Sequence, residues 1–107
     1  MEKTNVITCL NALAQESRLD VFRYLVTRGQ KGAPAGEIAA RCNLPKTTLS
    51  FHLKELKIAG LVKCERRGRM LIYSANYDAM ADLMGYLTEN CCAEGDACLA
   101  VSPACST

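Results

Sequence analysis

The chain has 107 residues, half of them apolar and seven of them cysteine, with a formal charge of +2. That length has room for one domain with a small core, which a partner chain would naturally supplement, and no stretch is polar enough for wholesale disorder. The odd cysteine count and the lack of a leader-like segment in Met1–Asn11 argue against a secreted disulfide framework, and no apolar run approaches the ~20 residues of a membrane span. The expectation is a cytoplasmic protein with reduced thiols and no membrane partner.

Near-neutral charge does not by itself identify a nucleic-acid binder, so its distribution matters. Lys and Arg gather over Lys46–Lys63 and at Arg66, Arg67 and Arg69, while acids are spread through Asp78–Asp96.

Taken in chain order, Asn5–Leu13 reads as a short helix with Val6, Leu10 and Leu13 on one face. A second helix covers Gln15–Arg28, with Leu19, Phe22 and Val26 at helical spacing, and Gly29 stops it. Gly32–Gly36 reads as a connector. Two helices then follow, Glu37–Cys42 and Lys46–Ala59, separated by Asn43 and by Pro45, which suits a helix opening. Leu49, Leu53 and Leu56 form the inner stripe of the second. From Leu61 the period changes to that of strands: Val62–Arg66 and Met70–Ser74 flank a basic hairpin tip, Arg67-Gly68-Arg69. A last helix over Asp78–Cys91 carries Met80, Leu83, Met84, Leu87 and Cys91 on one stripe, and the tail from Cys92 is rich in Ala, Gly, Ser and Cys. The division is a folded domain over 1–92 and a flexible tail over 93–107.

Two helices joined by a short turn form the arrangement in which the second helix enters the major groove. On that helix Lys46, Thr47, Thr48, Ser50, His52 and Lys54 are the candidates for DNA contact, with Arg66, Arg67 and Arg69 of the hairpin lying along the backbone or in the minor groove. Small interaction domains share this pattern of elements, and a Lys/Thr-rich face is often only solvated. Phe51 reads as a core or interface residue.

The run Leu44–Asn76 resembles the helix-turn-helix and wing of the ArsR family of metal- and metalloid-sensing repressors. It carries that family's S-x-H-L-x-x-L-x-x-A-G-L-V pattern at Ser50–Val62 and its R-x-G-R-x-x-x-Y wing at Arg66–Tyr73, and Ala12–Leu25 is similar to the family's second helix. The sequence departs from many members at Pro45 and Lys46. The resemblance implies a mainly α winged helix-turn-helix of five helices and a two-stranded wing, binding double-stranded operator DNA as a homodimer built from the first and last helices. Val6, Leu10, Met80, Leu83, Met84 and Leu87 would then form the dimer interface, in keeping with an apolar stripe that a small monomer struggles to cover.

The family places its sensory sites on different elements, so the residues must name the ligand. The Cys-Val-Cys arsenic motif before the recognition helix is missing, with Cys42 alone there, and the last helix lacks the histidine of zinc-sensing members. What remains is Cys91, Cys92 and Cys98. Thiolates select soft ions, and three of them suit pyramidal trivalent arsenic. Adjacent Cα atoms ~3.8 Å apart let Cys91 and Cys92 reach one ion, and Gly95 gives the chain between Cys92 and Cys98 freedom to fold back. The Cys-Cys-x5-Cys spacing resembles that of variant arsenite repressors whose site follows the last helix. Burial is the plainer alternative for any one cysteine, and Cys9, Cys42, Cys64 and Cys105 are left with no assigned role.

The expected function is therefore an arsenite-responsive repressor, with As(III) as inducer. The alternatives are the same fold sensing Sb(III), Cd(II), Pb(II) or methylarsenite, or a thiol redox switch. An enzyme is not expected, since no nucleophile–base pair or phosphate loop is found.

Overall fold

The computed structural model describes residues 1–95. In chain order these form α1 (Lys3–Leu13), α2 (Glu16–Arg28), a 3₁₀ turn (Gly29–Lys31), β1 (Ala33–Pro34), α3 (Ala35–Cys42), α4 (Lys46–Ile58), β2 (Val62–Arg67), β3 (Met70–Ala75) and α5 (Tyr77–Leu87). This is the expected winged helix-turn-helix of five helices, mainly α, with the hairpin as its wing. Cys98 and Cys105 lie outside the described residues, as does most of the tail.

The helices are bounded by local chemistry. Gln15 opens α2 by accepting the Arg18 backbone N–H at 2.8 Å, and the Arg18 guanidinium donates back to the Ala12 carbonyl at 2.8 Å, clasping the end of α1 to the start of α2. Asn43 closes α3 in the left-handed conformation, φ 55°, and the Leu44 N–H reaches the Ala39 carbonyl at 3.0 Å, the pattern of a Schellman cap. That cap turns the chain within three residues into α4. Pro45 sits just ahead of the first turn of α4, as its cap residue.

The core joins α1, α2, α3, α4 and the inner face of the sheet. Leu25, Ile38, Leu49, Leu56 and Leu61 are fully enclosed, each worth about 1.5–3 kcal/mol of burial. Tyr24 donates to Glu37 at 2.8 Å and so ties α2 to α3. Together these contacts hold α4 by one face and leave the opposite face to solvent.

Three features differ from the sequence-based expectation. First, the segment read as a connector contains β1, which pairs antiparallel with β3 (Ala33 opposite Tyr73, Pro34 opposite Ile72), so the sheet order is β1-β3-β2. A two-residue strand has no periodicity to detect; tertiary pairing creates it. Second, α5 ends at Leu87 instead of continuing to Cys91. The Thr88 hydroxyl bonds the Met84 carbonyl at 2.8 Å, and Asn90 and Cys92 both take φ 61°, so the chain leaves the helix in a series of turns. Third, Val6 and Leu83, expected at the dimer interface that the resemblance implies, are buried within their own chain, at 3% and 6% exposure. Leu10, Met84 and Leu87 are exposed, and Met80 is partly buried against the core.

Candidate nucleic-acid interface and thiol pair

Because Leu49, His52, Leu53 and Leu56 take the inner side of α4, helical geometry turns the other side outward. Lys46, Thr47, Thr48, Ser50 and Lys54 are all exposed there, together with Lys57. His52 departs from expectation. It is only 6% exposed, its Nδ1 has no hydrogen-bond partner, and burial, followed by the Arg18 charge, pushes its pKa below the usual 6.5. A neutral imidazole enclosed in the core cannot read a base edge, so His52 supports α4 from behind. Phe51, read as a core or interface residue, is 55% exposed and stands on the outward face, outside the core. The i, i+4, i+7 pattern of Leu49, Leu53 and Leu56 carried the signal that would have placed both residues correctly.

The wing is a two-residue hairpin with Arg67 opposite Met70. Gly68 takes φ 64° at the first turn position, and Arg69 does not share a positive φ, as a II′ turn requires. Arg66 and Arg69 are exposed on this hairpin. Arg67 is engaged elsewhere: its guanidinium donates to the Lys31 carbonyl at 2.9 Å and the Gln30 carbonyl at 3.0 Å and pairs with Glu65. It fastens the wing to the 3₁₀ turn, and the sequence could not show this because the partners lie 36 and 37 residues away.

Helix α4 is also tied to α5. Asn76 caps α5 by accepting the Ala79 N–H at 3.2 Å, and its amide donates to the Gly60 carbonyl, just past the end of α4, at 2.8 Å. The Tyr77 hydroxyl donates to the Val26 carbonyl at 2.8 Å. The start of α5 is thus anchored to the end of α4 and to α2.

At the other end of α5, the Cys91 and Cys92 sulfurs lie 3.5 Å apart in the turns after the helix, Cys91 exposed and Cys92 half-buried. An ion held by thiolates at about 2.3 Å, with bond angles of roughly 90–110°, places its sulfurs ~3.3–3.8 Å apart. The two sulfurs are in thiol–thiol hydrogen-bond contact, at a separation that also lies within this range. Among the described residues no group of three potential ligands is assembled. The remaining cysteines differ in setting. Burial pushes the Cys9 thiol up, and burial followed by the Asp20 charge does the same for Cys42, which disfavours the thiolate that binds metals. Cys64 lies on β2 beside Tyr73, whose phenol is pushed up by burial and then by that thiol.

A helix-turn-helix domain family matches residues 13–65. The chain is 39% identical over 77 residues to YceK of Bacillus subtilis, an uncharacterized HTH-type transcriptional regulator, covering 71% of this chain and 76% of that protein. The fold is shared with an ArsR-like transcriptional regulator from Rhodococcus, with a TM-score of 0.71 at 24% identity over 78% of this chain and 76% of that one. It is also shared with the homodimeric winged helix-turn-helix DNA-binding domain of Mb0332 from Mycobacterium bovis, a possible ArsR-family regulator, with a TM-score of 0.66 at 28% identity over 79% and 76%. No helix of the described residues is long and apolar enough to cross a membrane. The relatives are named as regulators rather than enzymes, and the chain belongs to the helix-turn-helix transcriptional regulators.

Proposed function

We propose that the chain is a cytoplasmic homodimeric repressor that leaves its operator when arsenite is bound by Cys91, Cys92 and Cys98. The observation that carries this reading is the pair of sulfurs 3.5 Å apart at the end of α5. Trivalent arsenic takes three thiolates, and Cys98 is the nearest further cysteine in the sequence. Sb(III), Cd(II), Pb(II) and methylarsenite are the other soft ligands this donor set accommodates.

Support for the dimer comes from the exposed Ile7, Leu10, Met84 and Leu87 on α1 and α5, two helices that pack together. A two-fold pair would set two α4 helices one DNA turn apart, ~34–36 Å. The thiols lie at the far end of the helix whose near end is tied by Asn76 to α4. Closing the three thiols onto one ion reshapes the C-terminal end of α5, hence the seating of the subunits and the spacing of the reading heads. This releases DNA only if the ligand prefers the DNA-incompetent arrangement.

Single Cys91→Ser, Cys92→Ser and Cys98→Ser chains should keep apo operator affinity and lose arsenite release, whereas Cys9→Ser, Cys42→Ser, Cys64→Ser and Cys105→Ser should still respond in a fluorescence anisotropy titration. Normal release by Cys98→Ser would replace the three-thiolate site with a two-thiolate site for a methylated arsenical. The proximity of the two sulfurs also favours a second reading, a redox switch. Release by mild peroxide but not by arsenite under strong reductant would select it.

A further inference from the structure

We propose that Phe51 is a specificity-determining residue that reads a thymine through its 5-methyl group; the proposal rests on the reading of α4 as the DNA-contacting helix. At 100° per residue, Thr47, Phe51, Lys54 and Ile58 fall on the line directly opposite the buried Leu49, Leu53 and Leu56. Phe51 is 55% exposed at the centre of that line and Ile58 66% exposed at its far end. Phe51 is the one aromatic ring among the polar, hydroxyl-bearing and cationic side chains of the first half of the helix, the half that meets base edges in this class of protein. Its ring is tilted at 60° against that of His52, with centroids 5.8 Å apart. Because His52 is enclosed in the core, this contact braces the phenyl group from the protein side.

An exposed phenyl group on a surface that must meet a polyanion gains nothing from phosphates, and its burial against them would cost their solvation. The major groove offers one apolar feature, the thymine 5-methyl group, and phenyl contact with it is a known kind of base reading. Cytosine and uracil lack that methyl. Lys46, Thr47, Thr48 and Ser50 can satisfy hydrogen-bonding edges on either side, and Phe51 offers the largest apolar surface among the exposed residues of this half of the helix, well beyond the single methyl groups of Thr47 and Thr48.

The test uses the full-length reduced protein and a duplex it selects from a randomised library. Each thymine of that duplex is replaced in turn by deoxyuridine, which removes only the methyl. For the unsubstituted protein, one symmetry-related position per half-site should lose about fourfold in affinity, the worth of one buried methyl-sized group. Phe51→Ala should bind more weakly and be indifferent to deoxyuridine at that position, while Phe51→Leu should retain part of the sensitivity. Replacing the same thymine by 5-methylcytosine, opposite guanine, should lose less than replacing it by cytosine. Equal deoxyuridine sensitivity in Phe51→Ala and the parent overturns the proposal, as does a parent insensitive at every thymine. A change in oligomeric state in Phe51→Ala with unchanged thymine sensitivity would make the residue a protein contact instead. If no duplex is selected at all, the DNA-binding reading itself has failed, a result distinct from the others. Phe51 is exposed, and alanine is the better helix former, so a folding defect is not expected; far-ultraviolet circular dichroism checks it.

Discussion

Gly32 shows how much one residue can be constrained by a neighbour distant in sequence. It takes φ 59°, and a Cβ built there would lie 2.2 Å from the Tyr73 carbonyl oxygen. Gly29 has a similar φ, 68°, with nothing near its missing Cβ. Gly29→Ala should therefore cost only the backbone strain, about 1–3 kcal/mol. Gly32→Ala, with a similar φ, must also push β1 off β3, and should cost at least ~2 kcal/mol more than Gly29→Ala, roughly 10 °C further in Tm for a domain of this size. Thermal denaturation of the two variants at one protein concentration measures the difference. His52 gives a second residue-scale expectation. Its folded pKa lies below 6.5, so below that pH the unfolded chain binds more protons than the folded one. The stability supplied by the neutral, buried imidazole is complete above pH 6.5 and is lost as pH falls from there through the folded pKa. Urea midpoints measured between pH 7.5 and 5 should fall for the parent and stay flatter for His52→Leu; parallel profiles would show that other groups carry the dependence.

Among the elements, the wing divides its three arginines into two jobs. Arg66 and Arg69 are exposed, whereas Arg67 is held by two backbone carbonyls and by Glu65. Arg66→Ala and Arg69→Ala should weaken binding similarly on selected and random duplexes and lower the salt slope by about one each. Arg67→Ala should instead loosen the hairpin from the 3₁₀ turn, lowering amide protection in β2 and β3 with little change in salt slope. Hydrogen exchange followed by mass spectrometry, beside a salt titration, separates the two; a full unit of slope lost from Arg67→Ala would return it to the phosphate contacts. The helix α5 is likewise divided. Its first turn is fixed by Asn76 and Tyr77, and its last exposed residues, Met84 and Leu87, are available to a partner.

For the whole molecule, the test of assembly belongs on exposed positions. Leu83 packs into its own core, so a charge there would unfold the chain and say nothing about dimers. Leu87, 58% exposed at the end of α5, is the better probe. Leu87→Glu should yield a folded monomer in sedimentation with strongly reduced operator affinity, since each half-site alone forfeits the second reading head. A Leu87→Glu chain that remains dimeric would move the interface away from the end of α5. On the proposed function, a ligand held at Cys91 and Cys92 would act on DNA through α5 and the dimer without touching α4. Coupling of this kind is reciprocal and typically amounts to ~1–3 kcal/mol.

The sequence by itself determined the class of fold, because helical and strand periodicity are local. Leu49, Leu53 and Leu56 mark α4, the change of period at Leu61 marks the wing, and Gly68 marks its turn. It also singled out the adjacent cysteines, whose sulfurs lie within reach of each other simply because the residues are neighbours. The stripe of Leu49, Leu53 and Leu56 also carries the signal that sets His52 inward and Phe51 outward. Tertiary structure alone decided which groups are already spoken for. Arg67 is claimed by carbonyls from a turn far back in the chain, β1 exists only through its pairing with β3, and Val6 and Leu83 turn inward because α1 and α5 pack on the same core. Each of these depends on contacts between residues remote in sequence, which no local pattern encodes.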